Sequence, residues 1–100
     1  MENTIVEVQE DGSGEIKLFS NGNQAGKMDI NIHRDILTVF HTEVDEAYEG
    51  RGFAKLLLTQ LVSYAREKDL KVRPTCPYVH MQFKRHEDDY KDIWYKGHQL

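Results

Sequence analysis

A single cysteine, Cys76, leaves no partner for an internal disulfide among the 100 residues, and an unpaired thiol fits a reducing compartment. Cytoplasm is the expected location. No more than three consecutive residues come from the hydrophobic set, at Leu56 to Leu58 and at Ile93 to Tyr95, whereas a membrane helix needs about 20. No contact with a bilayer is expected. The opening Met1-Glu2-Asn3-Thr4 has no basic segment followed by an apolar stretch, so no signal peptide is visible. The 7 glycines and 2 prolines are too few for a fibrous or disordered chain. Positive charge is also short: 13 Lys and Arg against 17 Asp and Glu give a net charge of -4. That balance provides no field to hold a polyanion, and nucleic acid is not an expected partner.

What is present suffices for one domain spanning residues 1–100. A hydrophobic share of 39% can line a single layered core without disulfide staples. Thr4 to Val8 read as a strand, followed by the turn residues Asp11-Gly12-Ser13-Gly14. Glu15 to Phe19 alternate, Ser20-Asn21-Gly22-Asn23 turn the chain again, and Ala25 to Ile32 place Met28, Ile30 and Ile32 on one face. Ile36 to Val44 form a fourth strand, apolar on both faces at its start and therefore central. From Phe53 the period changes: Ala54, Leu57, Leu58, Leu61, Val62 and Ala65 follow the spacing of an amphipathic helix. A short strand at Val72-Arg73 and a shorter helix from Val79 to about His86 come next, the helix turning Val79, Phe83 and Met81 inward. Tyr90 to Tyr95 supply a last strand or turn anchored by Ile93 and Trp94. The fold class is α/β (α+β): a mixed, mostly antiparallel sheet with one long central helix and a shorter C-terminal helix.

The informative segment joins the fourth strand to the long helix, Glu43-Val44-Asp45-Glu46-Ala47-Tyr48-Glu49-Gly50-Arg51-Gly52-Phe53-Ala54-Lys55. Two glycines at a helix mouth let the backbone approach a bulky ligand, and the first turn offers free N–H groups at the positive end of the dipole. Such an arrangement suits a phosphate or pyrophosphate, and Arg51 adds a cation whose planar fork matches phosphate oxygens. The plainer alternative is a tight strand-to-helix turn and nothing more. Neither phosphate-loop pattern fits, because no Gly-Lys-Ser/Thr ending and no third glycine at dinucleotide-binding spacing occur.

With these residues the sequence resembles the GNAT superfamily of N-acetyltransferases, and within it the small single-domain members of the YjdJ-like type. That family's motif A runs strand, then Gln/Arg-x-x-Gly-x-Gly/Ala, then a long helix. Gly52 and Ala54 match its last two positions, while Glu49 stands where Gln or Arg is usual. The strand Val39-Phe40-His41-Thr42-Glu43-Val44 and the later Pro74-Thr75-Cys76-Pro77-Tyr78-Val79 also look like the small subfamily. The resemblance implies acetyl-CoA as co-substrate. Its pyrophosphate would lie on the backbone around Glu49, Gly50, Arg51, Gly52, Phe53, Ala54 and Lys55. Its pantetheine arm would pair with the main chain of Glu43 and Val44, in a gap where the fourth and fifth strands splay. Larger members carry two helices between their first two strands as an acceptor wall. Here only about seven residues, Gln9 to Glu15, fill that interval. The acceptor site is therefore open to a small-molecule or protein amine, or is completed by a second subunit, with a monomer or weak homodimer expected.

Acetyl transfer to an amine needs a base, oxyanion donors and an acid for the leaving thiolate. Cys76 is placed either to take the acetyl group itself or to pack as a small apolar side chain. His41 suits a general base or an activator of Cys76, and a core histidine is the alternative. On an ideal strand it shares a face with Val39 and Glu43, with Phe40 and Thr42 opposite, unless a bulge intervenes. Tyr78 and Tyr90 are candidate proton donors to the thiolate, Tyr90 reading better as packing. Tyr48 shields the helix entrance and Trp94 belongs to the core. His80 and His86 lack a second ligand pair at zinc spacing, so no metal is expected. Glu87-Asp88-Asp89 read as a solvated face. Two other whole-protein readings remain: a CoA-binding or interaction module with little turnover, and a plain structural α/β domain.

Overall fold

Strict alternation builds the second strand. In β2 (Ser13–Ser20) Ile16, Leu18 and Ser20 are buried while Glu15, Lys17 and Phe19 are half-buried on the opposite face, as a period of two requires. A computed structural model describes residues 1–96. It places β2 between β1 (Glu2–Val8) and β3 (Asn23–His33), and continues through β4 (Ile36–Val44), α1 (Phe53–Glu67), β5 (Lys71–Pro74), α2 (Pro77–Arg85) and the single turn α3 (Glu87–Tyr90). Asn21 and Gly22 adopt φ of 51° and 87°, the two-residue turn whose twist matches the flanking strands. The sheet order is β1-β2-β3-β4-β5, antiparallel except for the parallel pair β4 and β5. This is the α+β layout that the sequence implies, with β4 interior.

One face of the sheet carries the core. Ile16, Leu18, Met28, Ile30, Leu37, Val39 and Val72 meet Leu57, Leu58, Leu61, Val62 and Ala65 of α1, and Val79 and Phe83 of α2 join the same cluster. Met81 is 52% exposed, which corrects its inward assignment: on a nine-residue helix, Val79 and Phe83 already define the buried stripe. The tail is held by rings. Phe83 stacks on Tyr90 at 4.7 Å and meets the edge of Trp94 at 5.6 Å. Trp94 forms one parallel bridge to Val72, so the last strand reduces to a single rung beyond β5. Trp94 itself is half-buried and packs against the core.

The other face bears charges in ladder positions. Lys17 lies 2.9 Å from Glu7 and 3.8 Å from Glu15, and Lys27 lies 3.5 Å from Glu15 and 3.1 Å from Asp29. Each such pair is worth little at this exposure, but together they make the face tolerant of water. Register breaks once between β3 and β4: Asp29 pairs with His41 and Ile30 with Val39, leaving Phe40 as the extra residue of a bulge. Beyond it Thr42 and Val44 oppose Met28 and Gly26 on the core side, while His41 and Glu43 oppose Asp29 and Lys27 on the charged side. The unbroken alternation is thus corrected: Val39 no longer shares a face with His41.

Arg66 ties α1 to the tail. Its Nε and Nη2 donate to the two carboxylate oxygens of Asp92 at 3.0 and 3.1 Å, and Nη2 also donates to the Asp89 carbonyl at 2.7 Å. The guanidinium holds the Asp92 carboxyl below its ordinary value. A depressed folded-state value contributes stability above about pH 3.9, the unfolded reference, and loses it as pH falls through the folded value. Asp92→Asn is therefore expected to lower stability at pH 6, with the difference from the parent chain shrinking below about pH 4 in parallel urea titrations.

Candidate active site

Two backbone features create the opening. β4 and β5 pair from Ile36 with Lys71 to Val39 with Pro74, and there pairing stops. Pro74 has no N–H to continue it. The chain then bends back on one acceptor: the Cys76 N–H donates to the Val39 carbonyl at 3.0 Å and the Thr75 hydroxyl donates to the same oxygen at 2.7 Å. From Phe40 to Val44, among the described residues, no strand lies along the β5 side of β4.

At the end of β4, Asp45 caps a short 3-10 turn, Glu46–Tyr48, by accepting from the Ala47 N–H at 3.0 Å. The chain then enters α1 through Gly50 and Gly52, at φ of 83° and 75°. A Cβ at either position would meet nothing within 4 Å, so backbone conformation rather than crowding selects glycine there. Gly52 is the N-cap and offers no side-chain acceptor to the first turn. Among the described residues, the amides from Gly50 to Lys55 have no hydrogen-bond partner. They are unpaired donors at the positive end of a 15-residue helix. Arg51 is placed beside them, its guanidinium 5.4 Å from the Tyr48 ring, which stacks on Phe53 at 5.7 Å. Tyr48 thus roofs the helix entrance.

The candidate catalytic groups divide between two sides. Cys76 is 2% exposed at the N-cap of α2, with its sulfur 3.2 Å from the Thr42 hydroxyl. Tyr78, half-buried in the first turn of α2, has its phenol pushed up, first by burial and then by the negative charges that Tyr90 and Cys76 would carry. It therefore keeps its proton through neutral pH, as an acid must. His41 lies on the charged face, its Nε2 2.9 Å from Glu43 Oε1, with side-chain exposures of 57% and 55%. The bulge sets His41 and Cys76 on opposite sides of the sheet, so the structure corrects His41 as an activator of the thiol and turns it to solvent beside Glu43. Tyr90 packs on Phe83, as its sequence context suggests. Among the described residues no His, Cys, Asp and Glu cluster could hold a metal. Thr42 is the group that sequence reasoning passes over. The His-Thr pair draws attention to it, but only the bulge turns it toward the thiol.

Residues 15–93 match the family model described as GCN5-related N-acetyl-transferase. The chain belongs to the GCN5-related N-acetyltransferases. Protein NATD1 of Gallus gallus is 40% identical over 53 residues, covering 53% of this chain and 48% of that protein. The chain thus spans about half the length of the curated relatives it matches. An NMR structure of a GCN5-like chain from Staphylococcus aureus superposes with a TM-score of 0.67 at 23% identity, covering 99% of this chain and 95% of that one. AAC(6')-Iy, solved with a CoA-linked bisubstrate analogue, gives a TM-score of 0.56 at 16% identity, over 92% of this chain and 68% of that one. At these identities the likeness establishes the fold. As a member of the GCN5-related family, this chain keeps a glycine entrance to α1 and an opening between β4 and β5, the two features the motif A resemblance implies. Gly52→Ala is expected to cost about 1–2 kcal/mol in urea denaturation, because the left-handed backbone alone resists a Cβ there.

Proposed function

We propose that this chain transfers the acetyl group of acetyl-CoA to an amine. The observation that carries the reading is the run of unpartnered amides from Gly50 to Lys55 at the α1 N-terminus, a ready site for a diphosphate. Arg51 would bind its oxygens, and the unpaired edge from Phe40 to Val44, with the main chain of Glu43 and Val44, would receive the pantetheine arm as an added strand. Glu49 in place of Gln or Arg leaves phosphate binding to the amides and Arg51. This proposed arrangement agrees with the fold shared with AAC(6')-Iy, whose structure holds a CoA-linked analogue.

Two routes use the groups on hand. In direct transfer, His41, oriented by Glu43, takes a proton from the ammonium. The freed amine nitrogen then attacks the thioester carbon. The carbon–sulfur bond breaks, the departing CoA thiolate takes the Tyr78 proton, and the second proton of the attacking nitrogen returns to the Tyr78 phenolate. In the covalent route the Cys76 sulfur attacks first, forming an acetyl-cysteine while its proton leaves with the CoA thiol, and the neutral amine then displaces that sulfur, which takes back the proton the nitrogen loses. The acceptor, a small-molecule or protein amine, would approach across the charged face, because only Gln9 to Gly12 join β1 to β2. No helix among the described residues is long and apolar enough to cross a membrane, and the lone thiol favours work in the cytoplasm. A CoA-binding module with little turnover is the second reading, favoured by the 2% exposure of Cys76.

Isothermal titration with acetyl-CoA is expected to show saturable binding, and its absence at millimolar ligand overturns the reading. Arg51→Ala should weaken that binding about tenfold, the worth of a charge-assisted hydrogen bond. Intact mass after incubation with acetyl-CoA is expected to show one added acetyl group that Cys76→Ala abolishes. An adduct that persists in the variant removes the thiol from the route.

A further inference from the structure

Cys76 is fixed at its backbone from two directions, yet among the described residues its sulfur has one hydrogen-bond partner. The Cys76 N–H donates to the Val39 carbonyl, and the Cys76 carbonyl accepts from the His80 N–H at 2.9 Å, one turn into α2. Among the described residues the sulfur's one hydrogen-bond partner is the Thr42 hydroxyl, at 3.2 Å, and Thr42 makes no other side-chain hydrogen bond. That pairing depends on Phe40: without the extra residue, the alternation of β4 would turn Thr42 to the charged face.

We propose that Thr42 is the positioning residue for the Cys76 sulfur, its hydroxyl donating a hydrogen bond that aims the sulfur and supports its anionic form. This inference rests on the covalent route proposed above for Cys76. A thiol and a hydroxyl can each donate, but once the sulfur has lost its proton only the hydroxyl remains as donor, so the bond strengthens in the nucleophilic state. The surrounding titratable groups do not supply that donor. Tyr78 on α2 couples to the thiol through charge and disfavours the anion pair. His80 follows one turn along α2, and His41 on β4 is turned to the other face. Arg73 on β5 lies over the Tyr95 ring at 4.9 Å. Placement of Thr42 rather than net charge is thus the device that readies the sulfur.

Because Cys76 is the sole cysteine, its reactivity is read directly by iodoacetamide alkylation of the free protein across pH, without acetyl-CoA. Thr42→Val, which keeps the side-chain shape, is expected to move the rate profile about one unit to higher pH and slow alkylation near pH 7 about tenfold, with the high-pH plateau unchanged. Thr42→Ser should keep the parent profile. Thr42→Ala tests the same shift should the valine variant fold poorly by circular dichroism. A valine or alanine profile that overlays the parent, moves to lower pH, or differs only in plateau height overturns the inference. A shifted profile in a chain that fails to bind acetyl-CoA sustains the role of Thr42 and sinks the transferase reading. An unshifted profile in a chain that binds and transfers does the reverse.

Discussion

The carbonyl oxygen of Val39 is where this structure turns from a sheet into a site. A strand pair that continued past Val39 and Pro74 would have closed β4 on both edges. Instead the oxygen takes two donors from the residues that leave β5, the Cys76 N–H and the Thr75 hydroxyl. Pairing ends without stranding a buried acceptor, so no unsatisfied carbonyl opposes the opening. The same bonds carry Cys76 to the start of α2 and hold it beside β4. Separation of the strands and placement of the thiol are one event, enforced by Pro74 at the last rung and Thr75 immediately after it.

The mouth of α1 follows a complementary logic. A Ser, Thr or Asp at the N-cap would have satisfied one of the first-turn amides and stabilised the helix by about 1 kcal/mol. Gly52 gives up that cap, and Gly50 and Gly52 both occupy the left-handed region. A folded chain that leaves donors bare at a helix end forgoes local stability there. The core beneath α1, where Leu57, Leu58 and Leu61 are almost wholly enclosed, holds the helix without needing the cap. Such a division, with a strongly packed body and an unsatisfied tip, is what a binding end requires.

Much of this was legible in the residue pattern. The 3.6 period from Phe53 to Ala65 and the Asn-Gly turn each have a single physical reading, because backbone geometry restricts which residues can stand there; the paired glycines mark the helix entrance but read equally as a plain turn. The β4 bulge was not. One additional residue inserted among Val39, Phe40 and His41 leaves no mark in hydrophobicity, and Phe40 is apolar whichever way it points. The facing of the β4 residues beyond it changed: His41 parted from Val39, and Thr42 came to face Cys76. Met81 escaped for a different reason, since a short segment carries too few periods to define a face.

The bare face of the sheet bears on the acceptor proposed above. A two-layer fold stacks its helices on one side, and the other side of β1 to β3 must meet water or a partner. Here the exposed rows alternate Glu7, Lys17, Glu15, Lys27 and Asp29 in mutual ion pairs, extended by His41 and Glu43 on β4. An apolar face of that breadth would associate without selectivity; a charged one stays open to water. The ladder that lets the sheet stand uncovered is thus also the surface that a positively charged acceptor would meet before reaching His41. His41 itself lies at the end of the ladder, beside the unpaired edge of β4.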